Sequence, residues 1–292
     1  MKVSEALAKG QPTLSFEFFP PKTTEQEEHL FSVLAQLKAF QPDFASVTYG
    51  AMGTTREKTF QWVKEIKERF KIDPVAHLTC ISATKKSILL QLEQFEAIGV
   101  NNILSLRGDP PEGSNDFTPP ADGFSYAKDL VAFIKVHKPE FCLGVAGYPE
   151  GHRESPSLER DTALLKEKVE AGADYIISQL FFDNRFFFDF LDRCRKAGIK
   201  APIIPGIMPI TSLKQLRKMT DICGATIPQK LLEQLEKHES DRSAVEKIGV
   251  EWAVGQCEEL LGAEVPGIHY FVMNQSGPIS QILKQLTFAR RQ

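Results

Sequence analysis

The chain has 292 residues, 42% of them hydrophobic and 25% charged, with a formal net charge of −3. This length fits one large domain, and the interspersed charges lack the basic stripe that nucleic-acid binding requires. The five cysteines have no CxxC spacing, so we expect no disulfide framework and no metal site. The N-terminus lacks a signal-peptide core and no apolar stretch is long enough to span a bilayer. We therefore expect a cytoplasmic protein without membrane or nucleic-acid partners.

Short β-branched or aromatic runs alternate with amphipathic helical stretches along the chain. The strands are predicted at 14–19, 44–51, 75–80, 102–109, 142–149, 175–182, 202–210 and 267–274. Strict alternation of strand and helix predicts a parallel sheet. Eight such units predict a (β/α)8 TIM barrel, an α/β fold, as a single domain over 1–292 with extra helices at about 212–262. A doubly wound sheet is the alternative, but the G-x-G-x-x-G fingerprint of its dinucleotide-binding members is absent from the sequence.

The first predicted strand carries a glutamate inside an aromatic run, Phe16-Glu17-Phe18-Phe19, which ends at two prolines. A carboxylate surrounded by apolar side chains is costly to ionise, so we expect the pKa of Glu17 to be raised. A glutamic acid that keeps its proton near neutral pH serves as a general acid. The alternative is a structural carboxylate paired with a base inside the barrel.

Polar side chains recur at the predicted C-terminal ends of the strands, where TIM barrels carry their chemistry. Gln179 is the most informative of them, because an amide within an apolar strand needs a hydrogen-bond partner. His77 has the alternative of a hydrogen-bonded core residue, and Arg107-Gly108-Asp109 that of a strand-end turn. No predicted strand end carries a lysine, which disfavours Schiff-base chemistry. Glu17 and Asp109 also allow a glycosidase, although only two tryptophans are present.

Seven motifs occur in one order along the chain and cover nearly all of it. They are FEFFPPK at 16–22, SVTYGA at 46–51, HLTC at 77–80, LRGDPP at 106–111, AGYPEGH at 146–152, AGADYIISQLFFD at 171–183 and IIPGIMPI at 203–210. In this order they resemble the catalytic domain of bacterial-type methylenetetrahydrofolate reductases. The resemblance implies a barrel that holds FAD and reduces 5,10-methylenetetrahydrofolate to 5-methyltetrahydrofolate with NAD(P)H, in a ping-pong sequence that supplies methyl groups for methionine. It also implies a homo-oligomer.

The resemblance implies a role for individual positions of this sequence. Glu17 matches the general acid, and Asp109 matches an aspartate whose charge tunes the flavin and stabilises a cationic folate. Gln179, Gln215 and Gln275 match positions that contact the substrates. The positions that match FAD contacts are Thr48, Tyr49, Ala51, His77, Arg107, Gly108, Asp109, Tyr126, Ala127, Tyr148, His152, Asp161 and Lys168.

The sequence departs from the family pattern at two positions. Gln275 stands where many relatives have an arginine that holds the folate tail, and Met219 where some have a phenylalanine near the nucleotide. A neutral amide gives no charge-assisted bond to a carboxylate. Two alternatives therefore stay open: a flavin-free, folate-dependent methyl transferase, and a flavoprotein subunit that takes electrons from a partner protein. Because the chain ends soon after the barrel, we expect no inhibition by adenosylmethionine.

Overall fold

A computed structural model describes residues 1–48, 56–81, 83–108 and 119–286. Eight parallel strands form a closed barrel in chain order, and the pairing of the first strand with the last closes it. The strands are β1 Thr13–Phe18, β2 Phe44–Val47, β3 Asp73–Thr79, β4 Asn102–Leu106, β5 Cys142–Gly147, β6 Tyr175–Leu180, β7 Ile203–Ile207 and β8 Gly267–Phe271. The predicted TIM barrel is confirmed, and the doubly wound alternative, which needs an open sheet, is wrong.

Helices follow the strands around the outside of the barrel. They are α1 Val3–Leu7, α2 Thr24–Lys38, α3 Arg56–Glu68, α4 Lys85–Ala97, α5 Ala127–His137, α6 Leu158–Glu170, α7 Asn184–Lys196, α8 Leu213–Cys223, α9 Gln229–Lys237, α10 Arg242–Gly262 and α11 Ser276–Gln285. Several begin where a side-chain oxygen accepts a free backbone N–H, as Thr23, Ser157 and Ser212 do. Among the described residues, no helix has the length and apolar character needed to cross a bilayer.

Alternation along the strands separates two environments. In β1, Phe16 and Phe18 are fully buried in the layer between strands and helices, together with Leu30 and Leu34 of α2. Because successive strand residues point to opposite faces, Ser15 and Glu17 point into the barrel. The phenylalanines next to Glu17 in sequence therefore face away from its carboxylate.

The N-terminal end of the barrel is closed by α1, which the sequence pattern did not predict. Val3 joins the buried cluster inside the barrel, and its backbone N–H donates to Asn102 Oδ1 at 2.8 Å. The Met1 ammonium lies 2.8 Å from Asp73 Oδ1. With this end filled, a ligand reaches the barrel axis from the C-terminal ends of the strands, where the candidate residues lie.

Candidate functional site

Glu17 lies at the centre of a polar cluster inside the barrel. Its Oε2 atom is 3.3 Å from His269 Nε2 of β8 and 3.4 Å from His77 Nε2 of β3. The Ser46 hydroxyl of β2 donates to the same oxygen at 3.4 Å. Glu17 is 8% exposed and His269 is fully buried. Side chains from four strands thus meet at one carboxylate.

The expected rise in the pKa of Glu17 is wrong. Burial raises the pKa of this carboxyl, but the charges and hydrogen bonds of His77 and His269 outweigh it and hold the pKa well below its ordinary value. The physical reason is strand geometry, since the flanking phenylalanines face the helices while two imidazoles face the carboxylate. Glu17 is therefore ionised at neutral pH in this arrangement, and any proton it delivers comes through its neighbours.

His269 was missed by the sequence analysis, although it meets the criterion applied to His77, a polar residue within an apolar strand. Its Nδ1 atom is 2.9 Å from the Ser15 hydroxyl oxygen, and this hydroxyl donates to the Ile268 carbonyl at 3.4 Å. With the Ser15 proton used in that way, His269 Nδ1–H donates to Ser15. The other ring nitrogen is then left to exchange a proton with Glu17.

A second charged group lies at the ends of β4 and β5. Arg107 forms a bidentate ion pair with Glu154, at 2.5 Å from NH1 to Oε2 and 2.7 Å from NH2 to Oε1. Gly108 follows with φ +86°, and a Cβ there would lie 2.8 Å from Ile81 Cγ2. Only glycine fits this close passage of the chain, so the Arg107-Gly108 turn is fixed where it leaves the barrel.

The loop after β5 carries Glu154 and is tied down at further points. The Glu150 carboxylate accepts the Thr226 N–H at 3.0 and 3.1 Å, and Arg153 donates to the Asp221 carbonyl. This loop is thereby connected both to the end of β4 and to the segment after α8.

The loop also holds the predicted residues Tyr148 and His152. Their rings meet edge to face with centroids 4.8 Å apart. Burial and the nearby Arg107 charge lower the pKa of His152 below its ordinary value. His152 is therefore a neutral hydrogen-bonding group at neutral pH.

Helix α6 presents a lysine and an aspartate to the same region. Lys168 Nζ donates to the Ala146 carbonyl at 2.7 Å and lies 5.8 Å from the centre of the Tyr148 ring. Burial lowers the pKa of Lys168 to about 8, with the Asp161 charge opposing that effect. Burial also raises the pKa of Asp161, and Lys168 opposes it. The amine thus changes charge just above neutral pH.

The remaining predicted cofactor positions are distributed around the mouth. The Thr48 N–H donates to the Phe18 carbonyl at 2.9 Å, directly after β2. Tyr126 is the N-cap residue of α5 and is 56% exposed, and Ala127 begins that helix. Asp109, Tyr49 and Ala51 lie outside the described residues.

A register shift in the barrel sets the position of Gln179. The pairing of β6 with β7 is regular up to Ile177 and shifts before Leu180. The Gln179 side-chain oxygen accepts the Leu180 N–H at 2.8 Å, and Ser178 Oγ accepts the Gly206 N–H at 2.9 Å. Such irregularities re-aim side chains beside active sites. Gln179 remains partly exposed, as a ligand contact requires.

The other two predicted substrate glutamines lie on helices that follow β7 and β8. Gln215 is in the first turn of α8, and its side-chain oxygen accepts the Thr211 hydroxyl. Gln275 is the N-cap residue of α11, and its N–H donates to the Val272 carbonyl at 3.0 Å. Both lie where helices begin after a strand of the barrel.

The donor set at the mouth fits FAD. Thr79 Oγ1 is buried on β3 without a hydrogen-bond partner among the described residues, and a buried polar atom of this kind needs one. Beyond it, Arg107 and Lys168 provide the positive charge that a diphosphate requires. Within the part of the chain that the structure describes, no group of three or more metal-ligating side chains occurs.

The fold and the site together define a TIM-barrel protein with a carboxylate–imidazole cluster inside the barrel and charged side chains around the C-terminal ends of its strands. A sequence profile of the family described as methylenetetrahydrofolate reductase matches residues 2–287. The chain belongs to this family.

Individual relatives agree with the family match. The chain is 36% identical to the probable methylenetetrahydrofolate reductase (NADH) of Oryza sativa, over 98% of this chain and 50% of the relative. It is 38% identical to the 5,10-methylenetetrahydrofolate reductase of Salmonella typhimurium, over 94% of this chain and 90% of the relative. The chain therefore spans about half the length of the plant relative and most of the bacterial one.

Solved structures support the fold. An uncharacterized protein from Clostridium thermocellum that binds two copies of 5-methyl-5,6,7,8-tetrahydrofolic acid matches with a TM-score of 0.65 and 17% identity, over 97% of this chain and 96% of that one. A 2,3-dimethylmalate lyase matches with a TM-score of 0.55 and 10% identity, over 97% and 84%. At these identities the likeness concerns the barrel alone.

Proposed function

We propose that this chain reduces 5,10-methylenetetrahydrofolate to 5-methyltetrahydrofolate with FAD as cofactor and NAD(P)H as electron donor. The observation that carries the proposal is the Glu17 carboxylate between two imidazoles, inside the mouth of a barrel of this family. Ring opening of the folate needs a proton on the nitrogen that leaves the methylene carbon, and the cationic iminium that results accepts a hydride at that carbon. FAD, when bound, supplies the hydride.

The acid in this proposal is the cluster, with Glu17 as its outermost member. An imidazole that carries the proton passes it to Glu17, and Glu17 passes it to the folate nitrogen whose bond to the methylene carbon breaks. Ser15 holds His269 in the tautomer that directs Nε2 at the carboxylate. This role needs no raised pKa on Glu17 itself, because the proton is stored on a neighbouring ring.

The roles in holding the ligands fall to residues around the mouth of the barrel. We propose that Arg107 and Lys168 hold the diphosphate end of the cofactor. Gln179 then hydrogen-bonds the folate or the nicotinamide in turn, which fits a ping-pong order. Asp109, outside the described residues, is proposed to stabilise the cationic open form of the folate.

The test separates the two half-reactions of the purified protein. The purified protein should be yellow, and NADH or NADPH should bleach its flavin in the absence of oxygen. Glu17→Gln should keep flavin binding and bleaching by the nicotinamide but lose at least 10²-fold in reoxidation by methylenetetrahydrofolate, the scale of general acid catalysis. The matched control is Glu170→Gln, an exposed glutamate at the end of α6. Equal loss of both half-reactions in Glu17→Gln contradicts the assigned role.

Each alternative has its own signature in the same experiment. A colourless protein that takes up no flavin, yet transfers a methyl group from folate, supports the methyl transferase. Bound FAD that neither nicotinamide reduces, but that a reduced ferredoxin-like protein does, supports the partner-dependent subunit.

A further inference from the structure

One side chain joins the end of β1 to the segment after β8. The Phe19 N–H donates to Asn274 Oδ1 at 3.0 Å, and Asn274 Nδ2 donates to the Phe19 carbonyl at 3.0 Å. The amide thus pairs with both backbone groups of a single residue, as a neighbouring strand does. The His29 ring of α2 donates to the Asn274 carbonyl at 2.9 Å and holds the asparagine from the other side.

The strands cannot make this connection with their own backbones. The last backbone bond between them runs from the Val272 N–H to the Glu17 carbonyl at 3.0 Å. Beyond it the two chains separate, and Pro20 and Pro21 offer no N–H. Phe19 is 38% exposed, so without Asn274 water takes up both backbone polar groups, and the connection between the end of β1 and the segment after β8 is lost.

The backbone at this point is strained. Met273 and Asn274 are consecutive non-glycine residues with φ of +52° and +53°. The left-handed conformation is unfavourable for side-chain-bearing residues, and asparagine tolerates it better than most. Strain of this kind persists only where the surroundings hold it, and it collects at functional sites.

We propose that Asn274 is a positioning residue that holds the end of β1 against β8 and so keeps the Glu17 carboxylate at His269. The inference rests on the proposed function for its kinetic consequence. Two side chains from β8 and the segment after it contact the end of β1. His269 contacts Glu17, and Asn274 contacts Phe19. Loss of the second contact leaves the end of β1 attached to β8 by the Val272 bond alone.

Asn274→Gly is the informative variant, because glycine accepts the left-handed backbone without strain and removes only the amide. We expect reoxidation by methylenetetrahydrofolate to slow by about 10²-fold, the scale of a 1 Å misplacement, with a displaced pH profile. Bleaching by the nicotinamide should stay as in the wild type. Glu264→Gly is the matched control, because Glu264 is also left-handed, at φ +56°, but precedes β8 at the opposite end of the barrel. It should leave both half-reactions unchanged.

A second measurement does not depend on the reaction. The ¹⁵N NMR chemical shift of His269 Nε2, which faces Glu17, should differ at one fixed pH between the wild type and Asn274→Gly and stay the same in Glu264→Gly. An Asn274→Gly protein with a wild-type His269 shift and a wild-type folate rate overturns the positioning role. If the wild type itself fails to reduce the folate, the proposed function fails, and the His269 chemical shift alone decides the role of Asn274.

Discussion

Lys168 makes the flavin-free protein more stable as the pH rises above 8. The pKa of its amine is lowered from 10.5 to about 8, because burial disfavours the ammonium. Between these values the unfolded chain holds a proton that the folded protein has released. Since stability rises with pH wherever the unfolded state binds more protons, the free energy of unfolding increases across this interval.

The structure sets the size of this effect. A difference of about 2.5 pH units corresponds to roughly 3 kcal/mol, and partial solvent exposure of Lys168 lowers the expectation to about 1–3 kcal/mol. Buried thiols act in the opposite direction. Burial raises the pKa of Cys80 and of Cys257 to about 12, so the unfolded chain loses protons that the folded protein keeps. The Lys168 contribution therefore has to be isolated by comparison with a variant.

Urea denaturation at about pH 7.5 and pH 9.5 measures the free energy of unfolding of the wild type and of Lys168→Met. The thiol contribution is common to both proteins and cancels in the difference. The wild type should gain about 1–2 kcal/mol relative to the variant over this change of pH, which covers part of the interval between the two pKa values. Lys166→Met, which changes an ion-paired lysine on α6, is the control and should give no such difference. A flat difference for Lys168→Met refutes the depressed pKa.

Three further substitutions test the packing and charge of the site. Ser15→Ala removes the hydroxyl at His269 Nδ1 and should lower the rate of folate reduction about tenfold while nicotinamide oxidation stays unchanged, measured by stopped flow; an unchanged folate rate contradicts the tautomer assignment. Glu154→Gln removes the carboxylate from Arg107 and should alter the FAD dissociation constant and its salt dependence in fluorescence titration, whereas identical salt slopes contradict competition for this arginine. Tyr175→Phe removes a buried hydroxyl that has no partner among the described residues and should change the free energy of unfolding by no more than about 1 kcal/mol, in the stabilising direction; a larger loss shows that the hydroxyl has a partner.

The sequence was sufficient for the barrel because strand and helix periods alternate clearly. The local hydrophobic pattern predicts each strand and each helix. Eight parallel strand–helix units of this length have few ways to bury both faces of their sheet. The strand ends also follow from the pattern, which is why Arg107 and His152 were expected in one region, whereas Lys168 on α6 was expected there only from the family resemblance. The short α1 was not expected, because five residues show no periodicity.

The environment of Glu17 could not be read from its neighbours in sequence. Phe16 and Phe18 suggested an apolar setting, yet they point to the other face of β1. The residues that decide the protonation of Glu17, His77 and His269, are distant in the chain and meet it only when the barrel closes. Sequence proximity is a poor guide to side-chain environment in a strand, because adjacent residues share no face.

The register shift in β6 has a consequence for what the mouth of the barrel accepts. The Gln179 side-chain oxygen accepts the Leu180 N–H, and its NH₂ group donates to no residue in the described ranges. Toward an occupant this amide therefore acts as a donor, so a molecule that meets it must offer a carbonyl oxygen or an unprotonated ring nitrogen. Both a pterin ring and a carboxamide meet that condition, so the proposed function needs only one rotamer of this side chain for two chemically different ligands.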